Sequence, residues 1–377
     1  MNVLIIGRGI PDERSPLNGV FEFDQAKALA KSGVHVTFLA ADLRSIRRKR
    51  KLGICSGMQD GVSYHVFNIP LGAVPKQIQN SVNSWALKHL YHKVFTGEKP
   101  DIIHAHFTGP AYAAVPLCEA EHIPLVVTEH SSEMNKPDVK KKLLHDVQYA
   151  YSKAAVVIAV GKGLARRIEQ RCGVHCVVIP NVMGETLFYE TVRQPHAGEF
   201  RFVFAGNLIQ RKRPELLVEV FSQVVAQHPQ ARLSIIGDGG LRDDLETRIR
   251  DLQLQDYVKM HGRLQRKQMA DVYSRCDCFV LPSANETFGV VYMEALAAGL
   301  PVIATACGGP EDFVTPELGI MIPVDDRNAL VDAMNKMVET AGRYDSKKLS
   351  ASVREQFSEQ AVASKLCQVY SDLLNER

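Results

Sequence analysis

Glu286 and Glu294 stand eight residues apart in the stretch Pro282-Ser283-Ala284-Asn285-Glu286-Thr287-Phe288-Gly289-Val290-Val291-Tyr292-Met293-Glu294-Ala295-Leu296-Ala297-Ala298-Gly299. Val290 to Ala298 reads as one helix, closed by Gly299 and the breaker Pro301. Residues 284–289 contain Asn and Gly and follow an apolar run, so they read as a loop. On one continuous helix the two carboxylates would lie about 12 Å apart and roughly 80° around the axis from each other. They would not converge on one small group. With Glu286 on the loop and Glu294 one turn into the helix, the free backbone amides near Phe288, Gly289 and Val290 fall between them, and a helix N-terminus of that kind binds phosphate. With 42 acidic residues in 377, two glutamates at this spacing carry little weight alone. The weight lies in Glu286-Thr287-Phe288-Gly289 followed by a helix of small residues. Two polar ends and an anionic middle describe a nucleotide sugar.

Other positions could serve the same ligand. Gly206-Asn207-Leu208-Ile209-Gln210-Arg211-Lys212-Arg213-Pro214 follows one apolar run and precedes a helix, with Pro214 suited to the first helical turn. Arg211 and Lys212 could neutralise a departing diphosphate, whose charge grows in the transition state; the competing reading is a solvated basic loop. Gly237, in Ile236-Gly237-Asp238-Gly239-Gly240, allows close backbone approach to a nucleobase or phosphate, or simply a tight turn. Gly19, just before Phe21, divides in the same way between a turn and a phosphate approach. His104 and His106 end a strand on one face, and His130 ends the strand-like run Val126-Val127-Thr128-Glu129. Hydrogen bonds to sugar hydroxyls suit these imidazoles better than zinc, for which no third and fourth ligand has the required spacing. The first loop, Gly7-Arg8-Gly9-Ile10-Pro11-Asp12, lacks the third glycine of a dinucleotide fingerprint.

The net charge of +3 excludes a global field directed at nucleic acid. Apolar residues at 46% and charged residues at 23% are those of a soluble globular chain. No apolar run is long enough for a membrane-spanning helix, and the start Met1-Asn2-Val3-Leu4-Ile5-Ile6-Gly7 enters a strand without a basic leader. Eight scattered cysteines, including Cys276, Cys278, Cys172 and Cys176, read as reduced thiols of a cytoplasmic protein. Arg44 to Lys51 carries six cations in eight residues. It reads either as a solvated loop or as a peripheral contact with anionic lipid at the inner face of the plasma membrane. Ile78, Val82, Trp85 and Leu90 have helical spacing within residues 76–95, which points to core packing.

The elements that must position these residues form two series of alternating strands and helices. The first runs through a strand at 2–7, a helix at 21–32 closed by Gly33, and strands at 34–40, 101–105, 124–128 and 155–160. The second runs through strands at 200–206, 232–236, 278–281 and 301–304, with helices after Pro214, from about 241, and at 290–298. This predicts an α/β chain of two Rossmann-like, doubly wound domains facing a central cleft, residues 1–182 and 200–356. Residues 183–199, which include Pro195, His196 and Gly198, form a linker. In doubly wound sheets the ligand sits beyond the carboxyl ends of the strands.

Taken together, Glu286-x7-Glu294 with Phe288-Gly289, Gly19, the strand from Asp101 to His106, Val178-Ile179-Pro180-Asn181, the Lys212 loop, Gly237-Asp238-Gly239 and Gly308-Gly309-Pro310-Glu311 resemble retaining glycosyltransferase family 4 (glycosyl transferases group 1) of the GT-B fold. The resemblance covers nearly the whole chain. It implies that Glu294 binds ribose hydroxyls, that Arg211 and Lys212 bind diphosphate, and that Glu286 lies beside the donor sugar. It also implies that amides of Phe288, Gly289 and Val290 contact sugar and phosphate, and that His106 faces the sugar from the first domain. The reacting centre would be Glu286, His106, Lys212 and Arg211. Gly19, Asn207, Gly237, His130, Thr287 and Glu294 would join the three amides in binding substrate. No cofactor or obligatory metal is implied, and a final helix over 357–377 would cross back to the first domain. Asn207 departs from the family, where Arg often follows the glycine, and Arg213 stands where glycine is common. The activity implied is transfer of a sugar from a UDP- or GDP-linked donor to an acceptor hydroxyl, with a cell-surface polysaccharide or lipid-linked glycan as the acceptor. The alternatives are a small soluble acceptor, a nucleotide-sugar epimerase of the same fold, and a non-catalytic nucleotide-sugar-binding subunit.

Overall fold

The computed structural model describes residues 1–376 except 13, 14, 16, 17, 46, 48, 49, 73, 132, 135, 137 and 185–197. The chain divides into two compact units, Met1–Val182 with Glu359–Arg377, and Met183–Ser358. Most of the linker expected at 183–199 lies outside the described residues. At the ends of the second unit, Met183 bridges Ser358, and its amide donates to the Phe357 carbonyl at 2.7 Å.

In chain order the first unit contains β1 (Asn2–Gly7), α1 (Val20–Lys31), β2 (His35–Asp42), β3 (Gly53–Gln59), β4 (Val62–Asn68) and α2 (Lys76–Val94). It continues with β5 (Ile102–His106), α3 (Thr108–Glu121), β6 (Leu125–Glu129), α4 (Lys141–Ser152), β7 (Val156–Ala159), α5 (Lys162–Cys172) and β8 (Cys176–Val178). The eight strands are ordered β3-β4-β2-β1-β5-β6-β7-β8, parallel except for β3, which runs antiparallel to β4. The β3–β4 hairpin went unseen in the sequence because its residues sit partly in water and do not make one apolar run: from Ser56 to Gln59, β3 is exposed.

Strand order reverses beside β1, which pairs with β2 on one side and β5 on the other. The loops after β1 and β5 therefore diverge and leave a crevice at the carboxyl edge. His106 ends β5 at this point.

The second unit contains β9 (Phe200–Ala205), α6 (Pro214–Gln227), β10 (Ala231–Ile236), α7 (Arg242–Asp251), β11 (Val258–Gly262) and α8 (Arg266–Tyr273). β12 (Cys278–Leu281), α9 (Val290–Ala297), β13 (Val302–Thr305), β14 (Gly319–Ile322), α10 (Arg327–Thr340) and α11 (Ser346–Phe357) follow. Its six strands are ordered β11-β10-β9-β12-β13-β14, with the reversal between β9 and β12.

The last helix, α12 (Glu359–Asn375), belongs to the first unit and packs on α1. Val362, Ala363, Leu366 and Tyr370 enter the core under β1 and β2, and Lys31 pairs with Glu359 at its start. The helix begins at Glu359 rather than at 357. Phe357 instead closes α11, where it packs on Phe288 and Phe313 in the second unit.

Trp85 and Ile78 are 57% and 49% exposed, so they are not core residues. The buried face of α2 is Ala86, Leu87, Leu90 and Tyr91, while Trp85 stacks on His89 and packs against Phe67 at 5.7 Å. The apolar spacing marked the helix correctly but not the side it turns inward. The basic run from Arg44 to Lys51 is not uniformly solvated either. Buried Asp42 pairs with Arg44 at 2.6 Å and with Arg50 at 3.4 Å. Arg50 also donates to the carbonyls of Asp42, Arg44 and Ile69, so it staples the loop.

Gly237 has φ +142°, and a Cβ there would fall 1.8 Å from the Gly206 carbonyl oxygen. The loops after β9 and β10 are thus packed backbone on backbone, with Leu208 N donating to Asp238 O and Leu241 N to Leu208 O. Gly240 has open space around its missing Cβ. Gly237→Ala should therefore cost roughly 2 kcal/mol or more, a fall of about 4–8 °C in the thermal midpoint of the second unit. Gly240→Ala should stay within about 0.5 kcal/mol of wild type. Thermal unfolding followed by circular dichroism checks the pair.

Candidate functional site

In the second unit the loops after β9 and β12 meet at the strand reversal, because no strand lies between them. Ala284 N donates to Arg211 O at 2.8 Å and ties the loops together. Beneath this bond, Lys212 Nζ lies 2.5 Å from Glu286 Oε1. Lys212 and Glu286 are 8% and 6% exposed, so the pair is desolvated and must be held by geometry. Ser283 Oγ donates to the same Glu286 oxygen at 2.6 Å, and Thr305 Oγ1 donates to Ser283 O at 2.5 Å. This network reaches from β9 through β12 to β13. Ser283 and Thr305 were not singled out in the sequence, although Ser283 stands inside the opening stretch.

The three cations of the β9 loop divide their work. Arg213 is held by Asp325 through two bonds of 2.6 and 2.8 Å. Lys212 is held by Glu286, and the Arg211 guanidinium has no partner among the described residues. Asn207 is exposed, and its carbonyl accepts from Ile209 N at 2.9 Å.

Glu286 lies on the loop and Glu294 on α9, in its second turn, as the spacing argument requires. Gly289 caps α9 at φ +89°, and the first helical amides have no partner within the helix. Thr287 is buried at the loop, and Phe288 is buried against Phe313 and Phe357, so Phe288 offers its backbone rather than its ring. Gly309 permits this packing, since a Cβ there would lie 2.8 Å from Phe288 N. Glu294 is half-buried near Tyr273, whose hydroxyl is held well above its ordinary pKa by burial first and by the Glu294 charge next. Burial pushes the Cys307 thiol up to about 11, so it is protonated at neutral pH and no thiolate nucleophile stands beside Glu286.

In the first unit, Glu129 at the end of β6 fixes the following turn by accepting from His130 N, Ser131 N, Thr108 Oγ1 and Tyr151 Oη. That turn sets His130 beside His106, with ring centroids 5.2 Å apart. His106 and His104 stack at 4.4 Å, which confirms that they share one face of β5. His104 is fully engaged, with Nδ1 on Tyr370 Oη at 2.6 Å and Nε2 on Thr128 Oγ1 at 2.7 Å. It is a core residue that ties α12 to the sheet. Burial lowers the pKa of all three imidazoles: His104 to about 3, and His106 well below its usual value. At neutral pH the stack is uncharged.

Phe107, directly after His106, has φ +66° and ψ 157°, a conformation that costs non-glycine residues on the order of 1–3 kcal/mol. Its ring is held between the Arg8 guanidinium, 3.5 Å from the centroid, and His130 at 4.8 Å. Arg8 is fixed in turn by fully buried Glu22 at 2.8 Å. Arg8 and Glu22 were missed because each looks ordinary alone; the signal was a cation at the carboxyl end of β1 with an acid in the first turn of the next helix. Gly19 caps α1 at φ +70°, and a Cβ there would fall 1.8 Å from the Gly9 carbonyl oxygen, so close loop packing accounts for the glycine.

A family model described as glycosyl transferases group 1 matches residues 190–361, and one described as glycosyltransferase family 4 matches residues 20–183. The chain belongs to the group 1 glycosyltransferases. It is an enzyme of that class. It is 27% identical over 361 residues to a teichuronic acid biosynthesis glycosyltransferase of Bacillus subtilis, covering 89% of each chain. It is 24% identical over 375 residues to N-acetyl-alpha-D-glucosaminyl L-malate synthase of Bacillus anthracis, covering 95% of this chain and 94% of the relative. Among solved structures, the sucrose-phosphate synthase of Thermosynechococcus elongatus superposes with a TM-score of 0.82 at 22% identity over all of both chains. Anabaena HepE, solved in complex with UDP, superposes at 0.75 with 19% identity, covering 98% of this chain and 99% of its own. These likenesses establish the GT-B fold.

The buried pair makes a specific energetic prediction for this glycosyltransferase. Lys212→Ala strands the Glu286 carboxylate without its cation and should destabilise the second unit by about 3–5 kcal/mol. Lys212→Ala combined with Glu286→Gln should recover much of that loss. A double-mutant cycle by urea denaturation measures the coupling; independent, additive effects would show that the two groups do not act as a pair.

Proposed function

We propose that this enzyme transfers a glycosyl group from a UDP- or GDP-linked sugar to an acceptor hydroxyl with retention of anomeric configuration, in the synthesis of a polysaccharide or lipid-linked glycan. The observation that carries this reading is the buried Lys212–Glu286 pair at the strand reversal of the second unit, beside the amide end of α9. A diphosphate needs cations and oriented amides, and a sugar needs a carboxylate that can accept from its hydroxyls. In this reading Arg211 and Lys212 meet the diphosphate, the amides of Phe288, Gly289 and Val290 complete its cradle, and Glu294 accepts from the ribose. Glu286 is assigned to the transferred sugar. The names of two relatives, one assigned to teichuronic acid biosynthesis and one an N-acetyl-alpha-D-glucosaminyl L-malate synthase, support a glycan or glycoconjugate product.

The chemistry balances without a covalent enzyme intermediate. The bond from the anomeric carbon to the diphosphate oxygen breaks, and its electron pair leaves with the diphosphate. The acceptor oxygen attacks the same face of the oxocarbenium-like centre, and a diphosphate oxygen takes the acceptor proton. Arg211, Lys212 and the α9 amides stabilise the leaving charge. Because the leaving group itself serves as base, no protein side chain is needed in that role.

A panel of nucleotide sugars in a thermal-shift assay selects the donor, and NMR of the turnover mixture with lipid extracts and soluble acceptors then reads the product anomer. Net retention with release of nucleoside diphosphate is expected. An inverted product contradicts the same-face step, an epimerised donor points to the epimerase, and donor binding without any turnover points to a binding subunit. Glu294→Gln should raise the donor KM roughly ten- to a hundredfold with little change in kcat, as expected for a contact made equally in ground and transition states. Lys212→Ala should chiefly lower kcat. Unchanged kinetics in both variants would remove the site assignment.

A further inference from the structure

Three of the strands that end the two sheets are short or polar; the fourth is neither. In the second unit β14 has 4 residues and β11 carries Lys259 and His261. In the first unit β8 has 3 residues. At the opposite edge of that sheet β3 has 7 residues, Gly53-Ile54-Cys55-Ser56-Gly57-Met58-Gln59, with no charge and no proline. Among the described residues only β4 pairs with it. An uncharged edge of this length is a template for another strand.

The hairpin turn decides which main-chain groups β3 offers. Gln59 pairs with Val62 across Asp60-Gly61, whose φ angles of +49° and +80° are those of a two-residue type I′ turn. The pair that closes such a turn exchanges both of its hydrogen bonds, and bonded and unbonded pairs then alternate along the ladder. Gln59, Gly57, Cys55 and Gly53 therefore bond to β4. Ile54, Ser56 and Met58 turn their N–H and C=O groups to the outer edge. Their side chains share the face of Phe67, which stands opposite Ile54 and packs on Trp85 at 5.7 Å. Met58 and Trp85 on this side, and Leu52 just before the strand, are 70%, 57% and 52% exposed.

The same features select the occupant. Hydrocarbon cannot hydrogen-bond the outward N–H and C=O groups, whereas another strand can. A second β3, running antiparallel about a two-fold axis at Ser56, uses all of them. Ser56 then pairs with Ser56, and Ile54 of each copy pairs with Met58 of the other; any other register leaves part of this set outside the ladder. The flanks of the strand are opposite in sign, with Lys51 before it and Asp60 after it, and neither has an ion-pair partner among the described residues. Antiparallel pairing brings Lys51 of each copy to the end where Asp60 of the other stands. A two-fold contact is closed, so the edge is satisfied once and assembly stops at two chains.

We propose that two copies of this chain associate through β3 as an antiparallel pair centred on Ser56, with Ile54 of each copy against Met58 of the other and Leu52 and Trp85 beside the junction. β4 and β2 separate β3 from β1, so the pairing leaves the crevice at the strand reversal open. The inference does not depend on the donor or the acceptor.

Sedimentation equilibrium of the full-length chain tests it, with a thiol reductant present because Cys55 on the same strand is a partly exposed free thiol. With rising concentration, wild type should approach twice the 41.8 kDa of one chain. Ser56→Pro removes an N–H that β4 does not use, so the unit should keep its fold while the pair loses both bonds at its axis. Its dimer dissociation constant should rise roughly ten- to a hundredfold. Met58→Lys, at an exposed site, should weaken the dimer at least as much, and Lys51→Glu about three- to tenfold at low salt. Residue-resolved amide exchange gives a second readout. The Ile54, Ser56 and Met58 amides should be protected at high concentration and lose that protection on dilution, while Cys55 and Gly57 stay protected throughout. A chain that remains monomeric at every concentration overturns the inference. A dimer that Ser56→Pro and Met58→Lys leave unchanged lies on another surface and overturns it as well. Binding to phosphatidylglycerol–phosphatidylcholine vesicles that Met58→Lys abolishes, with the mass of one chain throughout, gives this face to lipid instead. Should Ser56→Pro not fold, Met58→Lys and the wild-type exchange still decide.

Discussion

The second unit is organised around one desolvated ion pair. Lys212 and Glu286 come from loops 74 residues apart in sequence, and they meet because the strand order places β9 next to β12. Neither charge is tolerable alone in that environment. Ser283 and Thr305 fix the carboxylate, the Ala284–Arg211 backbone bond fixes the loops, and Gly237 allows the neighbouring loop to close against them. An ammonium anchored in this way is oriented before a ligand arrives, so little reorganisation is needed when negative charge develops nearby. The first unit uses the same topological device with different chemistry. At its reversal an uncharged histidine stack stands in place of an ion pair, and Arg8, Glu22 and a strained Phe107 frame it.

Much of this was legible in the sequence, for physical reasons that differ from place to place. Strands such as β1 and β12 are buried on both faces, so they appear as apolar runs bounded by turn residues. The loop placement of Glu286 and the helical placement of Glu294 followed from helix geometry alone. The shared face of His104 and His106 followed from strand alternation. The family resemblance then attached roles to positions that spacing could not distinguish.

What stayed hidden depends on partners distant in sequence. Nothing near Arg213 in the sequence points to Asp325, which holds it, and Arg50 looked like a surface charge until Asp42 and three carbonyls claimed it. Trp85 had core spacing but faces solvent, because α2 buries the neighbouring stripe of Ala86, Leu87 and Leu90. The role of His104 could not be separated from that of His106 without Tyr370, which lies 266 residues away on α12. Periodicity reports which residues share a face; it does not report which face is covered, or which charges have already found a partner.

The central claim is that the anchored Lys212 recognises a diphosphate. Calorimetric titration of wild type and Lys212→Ala, at one fixed salt concentration, with the nucleoside diphosphate and with its parent nucleoside tests it most directly. Wild type should strongly prefer the diphosphate, and Lys212→Ala should lose roughly ten- to a hundredfold of that preference while binding the nucleoside nearly unchanged. An undiminished preference in a folded Lys212→Ala protein would contradict it.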